Sequence, residues 1–321
     1  MELTLSNGNL LEFQDGLPVH FPGPFLRGAI SYQAKSNLSE LVIQELREDC
    51  YSIRYVIGRF LKKIDARGWI HSSGIYSLFM LKGASRKQIG SIGKLHIRQD
   101  QFGCFYSEAT SFVAVFDKSK EFHVLDLFFS PVLLEEVYPY FDGLKKTVEQ
   151  ESGYLFPGIP GWTLPGMQEI IGQILDCRFD APTRKFYFDL KVRELLFEML
   201  DFSYRSAKDK TVYSSSDSYR IHQSRDILAG FIDKKPPALK WLCKEVGLNE
   251  FKLKQGFRQY FHSSIFDWLY ERKMMRAREL LLTTNRPIKE IAALVGYPRS
   301  TNFTTAFRRK FGVTPGSMRR K

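Results

Sequence analysis

The sequence predicts an α+β protein with two domains: a β-rich sandwich or barrel with accompanying helices, followed by an all-α domain with two helix-turn-helix units joined by a long helix. Length supports two domains, because 321 residues exceed what one ordinary core holds. Runs of β-branched and aromatic residues fill the first part, whereas apolar residues at helical spacing fill the last hundred residues. The third observation is that those last hundred residues contain a tandem repeat.

The N-terminal domain, residues 1–207, is predicted to begin with many short strands. Runs rich in β-branched and aromatic residues lie at 40–47, 51–60, 75–81, 89–97, 111–116 and 122–129. Short strands in this number are typical of a sandwich or small barrel. Helices are predicted next, at 132–137, 166–177 and 183–204, with a Gly- and Pro-rich loop at 153–165. A Ser-rich linker, 208–219, is predicted before the C-terminal domain, 220–321.

The C-terminal domain repeats one pattern about fifty residues apart. Each copy has a Val-Gly-apolar corner followed by apolar residues four apart: Val246-Gly247-Leu248 with Leu253 and Phe257, and Val295-Gly296-Tyr297 with Phe303 and Phe307. Glycine permits a tight corner, and apolar residues four apart form the buried stripe of a helix. The pattern therefore predicts two helix-turn-helix units in tandem.

The remaining helices of this domain follow from the same spacing. A first helix is predicted from 221 to about 233, before Lys234-Lys235-Pro236-Pro237. The first unit then has a scaffold helix at 238–246 and a recognition helix at 250–261, which Asn249 caps. A long helix at 264–282, with Phe266 and Trp268 in the core, joins it to the second unit. That unit has a scaffold helix that buries Ile288, Ile291, Ala292 and Val295, and a recognition helix at 300–310.

The net positive charge of the chain lies entirely in this repeat. Residues 221–321 hold 21 Lys and Arg against 8 Asp and Glu, a net charge of +13, whereas the other 220 residues hold 26 against 27. A basic domain beside a neutral one is typical of nucleic-acid binding, because cations that neutralise phosphates release condensed counterions. The charge and the repeat together predict that double-stranded DNA is the partner.

Residues 229–320 resemble the AraC/XylS family of bacterial transcription regulators. The most specific part runs from Gly296-Tyr297 through Asn302-Phe303 and Phe307-Arg308-Arg309 to Phe311-Gly312-Val313-Thr314-Pro315. Within the family, Gly247-Leu248-Asn249-Glu250 and Gly256-Phe257-Arg258 are most similar to the pyochelin-regulator-like branch, which controls siderophore synthesis and uptake. The sequence departs from the family at Pro298-Arg299, where a small or acidic residue is usual, and at Met318, where an aromatic residue is common.

The resemblance implies a transcription regulator, an activator, with a cupin-like N-terminal domain that senses a small-molecule effector. It also implies a homodimer formed through the helix before the linker, and RNA polymerase as a partner. The siderophore branch implies a ferric siderophore and iron-acquisition genes, and a regulator of sugar or aromatic-compound metabolism is the alternative. The sequence assigns no effector-binding residues. Aromatic residues of the strands fit an effector pocket or, as we favour, a core: Phe102, Phe105, Tyr106, Phe112 and Phe116. Basic residues fit an anionic ligand or, as we favour, an exposed strand face: Arg86, Lys87, Lys94 and Arg98.

Ten residues are predicted to contact DNA. On the first recognition helix they are Phe251, Lys254, Gln255 and Arg258, and at the second Arg299, Ser300, Thr301, Thr304, Thr305 and Arg308. Phe251 suits thymine methyl groups if it does not pack in the core, and the polar residues suit base edges if they do not merely solvate the helix. The side chains of the second set are mostly short, so we expect them to contact the DNA backbone more than to discriminate bases.

Other classes of protein are disfavoured. The six histidines form no HxH or HExxH pair, and GxSxG, P-loop and GxGxxG motifs are absent, so we expect no enzyme, catalytic residue, metal or cofactor. The remote alternative is a cupin-like enzyme fused to a DNA anchor. Four scattered cysteines predict buried free thiols: Cys50, Cys104, Cys177 and Cys243. Without a signal peptide or a long apolar run, we expect a cytoplasmic protein that does not enter a membrane.

Overall fold

The structure, a computed structural model, describes residues 4–5, 11–21, 23–35, 39–118, 120–149, 160–208, 215–261 and 263–319. Two compact units divide the chain, Met1–Arg205 and Ser206–Lys321. Residues 209–214 of the predicted linker lie outside the described residues, and the chain is helical from Ser215 onward. In the described ranges, no helix is long and apolar enough to cross a membrane.

The first unit is built on two antiparallel sheets, as the alternating β-rich runs predict. Its strands are β1 (Thr4–Leu5), β2 (Gln14–Asp15), β3 (Ile30–Lys35), β4 (Ser39–Arg47), β5 (Tyr51–Phe60), β6 (Ile64–Ile70), β7 (Gly74–Lys82), β8 (Ala84–Ile89), β9 (Gly93–Arg98), β10 (Gln101–Ser107), β11 (Thr110–Phe116), β12 (Glu121–Phe129) and β13 (Gly161–Trp162). One sheet has the order β1-β6-β11-β8-β9, and the other has the order β13-β10-β7-β12-β5-β4-β3-β2.

The eight-stranded sheet has a hydrophobic core on each face, because successive side chains of a strand point to opposite sides. On β12, Phe122 and Val124 join a core that also holds buried residues of the five-stranded sheet, including Ile64 of β6. Leu125 and Leu127 of the same strand join the other core, which is shared with helices. The unit is therefore a sandwich of two sheets with a helical layer on the outer face of the larger sheet.

The helical layer consists of α1 (Pro131–Val137), α2 (Leu144–Glu149), α3 (Pro165–Leu175) and α4 (Thr183–Lys208). Three of these helices were predicted, and α1 begins as expected, with Pro131 in its first turn and the Ser130 hydroxyl accepting from the Leu133 amide at 3.4 Å. Buried residues of α4, such as Phe188 and Leu195, join the core under the sheet.

The prediction of one strand over residues 89–97 is wrong. The chain turns between β8 and β9 through a 3₁₀ turn at Gly90–Ile92, and the two strands pair as a hairpin. Gly90 and Gly93 have φ of +29° and +99°, outside the extended range, so an apolar run interrupted by two glycines forms two strands. Strands β3, β6, β8 and β10 were not among the predicted runs, although Phe102, Phe105 and Tyr106 of β10 were expected to lie in strands.

The second unit is all-α. Its helices are α5 (Ser215–Ala229), α6 (Leu239–Val246), α7 (Glu250–Phe261), α8 (Ile265–Thr283), α9 (Ile288–Leu294), α10 (Ser300–Phe311) and α11 (Pro315–Arg319). Both predicted helix-turn-helix units are present, as α6-α7 and α9-α10, and α8 is the joining helix. Helix α5 ends at Ala229 rather than near 233, because residues 230–233 form a turn. Met318 packs against the core of the second helix-turn-helix.

The prediction that Phe266 packs in the core is wrong, whereas the same prediction for Trp268 is confirmed. Phe266 is 44% exposed and Trp268 is 5% exposed. Two positions along a helix correspond to about 200° of rotation, so the two rings lie on opposite faces of α8. The buried face of α8 includes Ile265 and Leu269 beside Trp268.

Candidate nucleic-acid interface

The corner of the first helix-turn-helix is made by Gly247. Its φ of +67° and ψ of +34° are left-handed, and the Leu248 amide donates to the Cys243 carbonyl at 3.1 Å. A Cβ atom at Gly247 would lie 2.5 Å from Nη1 of Arg220, whose guanidinium donates to the Gly247 carbonyl at 2.7 Å. The predicted cap is also present, because Oδ1 of Asn249 accepts from the Lys252 amide at 2.8 Å. Both ends of the turn are thus fixed, and they set the direction of α7.

Helix α7 buries one face and exposes the other, as the spacing predicts. Leu253 and Phe257 are fully buried, and the Phe257 ring meets Phe261 at 4.4 Å and Trp268 at 6.3 Å between centroids. Phe251 is 74% exposed, which excludes the core alternative for this ring. Exposed beside it are the three other predicted contact residues, Lys254, Gln255 and Arg258. The four residues therefore share the outer side of one helix.

Ion pairs distinguish the cations of α7. The Lys254 ammonium lies 2.6 Å from Glu250, one turn earlier, and holds the pKa of that carboxyl below its usual range. Lys252, which the sequence did not single out, lies 3.0 Å from Asp217 and so ties α7 to α5. Among the described residues Arg258 has no acidic partner. Its guanidinium is the cation of α7 that is most available to a phosphate.

The second corner repeats the geometry of the first. Gly296 has a φ of +75°, and the Tyr297 amide donates to the Ala292 carbonyl at 2.9 Å, five residues back as at Leu248. Phe303 and Phe307 of α10 are fully buried against α8 and α9. The two units therefore share a left-handed glycine and the same backbone hydrogen bond at the corner, although α10 has no side-chain cap like that of Asn249 on α7.

The exposed side of α10 is short and hydroxyl-rich. Thr301, Thr305 and Arg308 are exposed, as is Arg299 just before the helix, while Ser300 and Thr304 are half-buried. The hydroxyls of Thr304 and Thr305 donate to the carbonyls of Ser300 and Thr301, four residues earlier, at 2.9 and 3.1 Å. Their protons are already used within the helix, so each hydroxyl offers an incoming ligand an acceptor and a methyl group.

The basic end of α10 has two roles. The Arg309 guanidinium stacks on Tyr270 of α8, 4.6 Å from the ring centroid, and Lys310 lies 2.5 Å from Glu271. Tyr270 in turn donates to the Ala306 carbonyl at 2.7 Å. These contacts hold α10 against α8 and leave Arg308 pointing outward. An open groove of about 670 Å³ at this end is lined by Thr304, Thr305, Arg308, Arg309, Gly312 and Thr314.

A polar cluster in the first unit is a candidate effector site that the sequence did not reveal. Lys87 was expected on an exposed strand face, but it alternates with exposed Arg86 and shares the inner face of β8 with buried Ser85 and Ile89. Its ammonium lies 5.5 Å from the centroid of the Phe112 ring, and burial lowers the pKa of the amine. Arg86, Lys94 and Arg98 are exposed as expected.

The larger sheet contributes the opposite charge to this cluster. Asp126 of β12 lies directly across from Arg54 of β5, with 3.4 Å between their charged groups. In the part of the chain that the structure describes, Oδ1 of Asp126 and the hydroxyl of Ser85 are buried without a hydrogen-bond partner. Buried polar atoms without partners are costly, so these two atoms are candidate contacts for a polar ligand or water.

Among the described residues, no group of three or more His, Cys, Asp or Glu side chains is placed to hold a metal ion. The four cysteines are free, and Cys50 alone is half-buried while Cys104, Cys177 and Cys243 are buried.

Two family models match the chain. One, described as a helix-turn-helix domain, matches residues 242–321, which include both corners and both recognition helices. The other, described as the N-terminal domain of the regulatory protein PchR, matches residues 55–211. The matched segments thus fall on the two units in turn.

Individual proteins match as well. The regulatory protein PchR of Pseudomonas aeruginosa is 35% identical over 119 residues, 36% of this chain and 39% of that protein. The regulatory protein SoxS of Escherichia coli is 32% identical over 100 residues, 30% of this chain and 92% of that protein. A solved structure, the C-terminal domain of the response regulator AraT of Geobacillus stearothermophilus, is 30% identical with a TM-score of 0.30, and the match covers 32% of this chain and 84% of that one.

Proposed function

We propose that this chain, which belongs to the AraC/XylS family of DNA-binding transcription regulators, reads an asymmetric DNA site with two recognition helices and is controlled by a small-molecule effector. The observation that carries the DNA part is the pair of equivalent corners, Gly247 and Gly296, each followed by a helix with a buried aromatic stripe and an exposed polar face. The +13 charge of residues 221–321 supports the same partner.

One chain carries both helices, so it needs no second copy to contact two turns of the groove. Helix α8 has 19 residues and is therefore about 28 Å long, close to the roughly 34 Å that separate successive major-groove segments on one face of DNA. We propose that α7 reads bases through Phe251, Gln255 and Lys254, and that Arg258 contacts a phosphate. Helix α10 anchors the backbone through Arg299 and Arg308 together with its exposed and half-buried Ser300, Thr301, Thr304 and Thr305.

Selection from random DNA tests this proposal. The full chain is incubated with a random duplex library, bound duplexes are recovered, and the enriched sequence is footprinted. We expect an asymmetric site of about 18 to 20 base pairs per chain, with an affinity that falls steeply as salt rises. Protection of one short half-site per chain, or no enriched sequence, would contradict recognition by two helices.

The effector is proposed to bind between the two sheets of the first unit. Lys87 and Arg54 supply positive charge for an anionic group, Asp126 and Ser85 supply acceptors, and Phe112 supplies an aromatic face. The match of residues 55–211 to the PchR N-terminal domain, with the resemblance to the siderophore branch, favours a ferric siderophore and the activation of iron-acquisition genes. Sugars and aromatic acids are the alternatives.

Thermal shift of the full chain distinguishes these ligands. The probes are ferric pyochelin, iron-free pyochelin, L-arabinose and salicylate. We expect only the ferric chelate to raise the melting temperature, and Lys87→Met to reduce that rise. Lys94→Met is the matched control, because Lys94 is an exposed lysine of the same sheet. A rise in melting temperature with the sugar or the aromatic acid would contradict a siderophore effector and favour that ligand. Equal reductions of the rise in both variants would contradict an effector site at Lys87.

Assembly is proposed to use α4. Phe186, Leu190 and Phe197 of this helix are 67%, 51% and 54% exposed although its other side is buried in the core. Exposed large apolar side chains on one element are typical of an interface. We propose that a second copy of the chain covers them, and that RNA polymerase is the partner through which the DNA-bound dimer activates transcription.

A further inference from the structure

Lys273 is a buried lysine in the middle of α8. Its side chain belongs to a residue only 3% exposed, and burying a charge is costly unless hydrogen bonds compensate. The ammonium donates to three backbone carbonyls, those of Ile232, Lys234 and Val295, at 2.8, 2.6 and 2.8 Å. An ammonium has three N–H donors, so these three acceptors saturate it.

The three carbonyls come from two segments that lead to different recognition helices. Ile232 and Lys234 lie in the segment that leads into the scaffold helix of the first unit, and Val295 is the last residue before the corner of the second. The packing is close: a Cβ atom at Gly296 would lie 2.4 Å from the Lys234 carbonyl oxygen and 2.5 Å from Nζ of Lys273. Lys273 is therefore the point at which the entry of the first unit, the joining helix and the second corner meet.

Removing the ammonium leaves three carbonyls without that donor in a buried site. Ile232 and Lys234 lie in the turn after α5, and Val295 is the residue at which α9 ends, so their carbonyl dipoles point at one buried position and repel one another when no cation lies between them. The two segments would then separate or admit water. Because one segment leads to α7 and the other to α10, separation changes the distance or angle between the recognition helices.

We infer that Lys273 is a positioning residue that fixes the spacing between the two DNA half-sites the chain recognises. The inference rests on the proposed DNA-binding function. Lys273 itself is buried, so we do not propose that it contacts DNA. Lys273 affects which half-site separations the chain can bind. When the two segments are held together the chain binds one separation, and when they are loose it binds several.

The test uses the full chain and the duplex recovered from random DNA. Dissociation constants are measured on that duplex, on duplexes with one or two base pairs inserted between the half-sites, and on each half-site alone. One inserted base pair moves a half-site by about 3.4 Å and rotates it by about 34°. We expect the insertion to weaken wild-type binding about tenfold or more, and we call this loss of affinity the spacing penalty. Lys273→Met should have a much smaller spacing penalty, while its affinities for the single half-sites stay unchanged.

Lys244→Met is the charge-matched control, because Lys244 is an exposed lysine of α6. It should keep the wild-type spacing penalty. A Lys273→Met protein with the wild-type penalty would overturn the inference while leaving two-helix recognition intact. If selection yields no bipartite site, the proposed function fails and the inference fails with it.

A second measurement needs no variant. Burial lowers the pKa of Lys273 to about 8, against the attraction of exposed Asp233. A neutral amine has two donors for three carbonyls, so raising the pH from 7 to 9 should reduce the wild-type spacing penalty severalfold. The penalty of Lys273→Met should stay flat over this range. An unchanged wild-type penalty at pH 9 would overturn the inference even if Lys273→Met fails to fold.

Discussion

Lys254 of the first recognition helix donates to Glu250, one turn earlier, with 2.6 Å between Nζ and Oε1. The pair places a carboxylate on the side of α7 that we propose to face DNA. We expect Glu250→Gln to strengthen DNA binding severalfold, because the change removes a negative charge near phosphates and frees the lysine. Fluorescence anisotropy at fixed salt measures it. Glu279→Gln, which breaks an Arg276–Glu279 pair on α8, is the control, and an equal gain there would mean that only net charge matters.

Substitutions should distinguish residues that read bases from residues that contact the DNA backbone. Gln255→Ala is expected to cost about 1 to 3 kcal/mol on the selected duplex and little on random DNA, because a base contact exists only at the correct site. Arg308→Ala should weaken both duplexes alike, since a phosphate contact is independent of sequence. Equal losses on both duplexes for Gln255→Ala would refute its base-reading role.

Acid should loosen the first recognition helix through His222. This ring packs on Tyr260 and Phe261 at 4.8 and 5.5 Å, and burial lowers its pKa to about 4. An unfolded histidine takes up a proton near pH 6.5, so the folded state is favoured fully above that pH and progressively less as the pH falls toward 4. Between pH 7 and 4.5 we expect this group to remove about 2 kcal/mol of stability.

Urea-dependent hydrogen exchange of residues 250–261, followed by mass spectrometry, localises that effect. His222→Phe should flatten the pH dependence. His71→Phe, at an exposed histidine of the other unit, should leave it as in the wild type. Equal slopes in the wild type and His222→Phe would show that other groups carry the acid response.

The apolar face of α4 should control the oligomeric state. Leu190→Glu places a charge at the centre of the face that includes Phe186 and Phe197, so a dimer held there should dissociate. Sedimentation velocity over a range of concentrations gives the result. Val19→Glu, at an apolar residue that is 94% exposed, should not change the distribution. A wild-type chain that sediments only as a monomer would contradict the proposed dimer.

Control by the effector should require the first unit. A hundredfold activation needs about 2.7 kcal/mol of difference between the effector affinities of two states. We expect reporter expression to depend on the effector with the full chain and to be independent of it with the fragment from Ser215 onward. A fragment that still needs the effector would show that sensing does not reside in the β-rich unit.

The helices of the second unit were predictable because local signals agreed with one another. Helix α7 has the predicted bounds, 250–261, since Gly247 stops one helix and the Asn249 side chain starts the next. The exposure of Phe251 was predictable because Leu253 and Phe257 define the opposite, buried face of α7. The prediction for Phe266 is wrong because its ring lies about 200° around α8 from the buried Trp268.

Side chains whose surroundings come from distant segments were not predictable. A lysine in a strand or a helix is normally solvated. Lys87 and Lys273 are exceptions: Lys87 is half-buried and interacts electrostatically with Asp126, and Lys273 donates to the carbonyls of Ile232, Lys234 and Val295. These partners lie 22 or more residues away in sequence. The sequence near either lysine therefore does not predict these contacts. The DNA-contacting residues themselves remain predictions, since exposure places them on a surface and does not show what they touch.

Strand β12 separates two cores while belonging to both, with Val124 and Asp126 on one side and Leu125 and Leu127 on the other. A molecule lodged beside Asp126 is thus only one residue along the backbone from the layer that contains α4. Protein interiors are close-packed, so a displacement of β12 by a fraction of an ångström in one core requires the side chains of the other core to move as well. An effector that binds between the sheets, as we propose, should therefore also shift α4, the helix that we propose to join two copies.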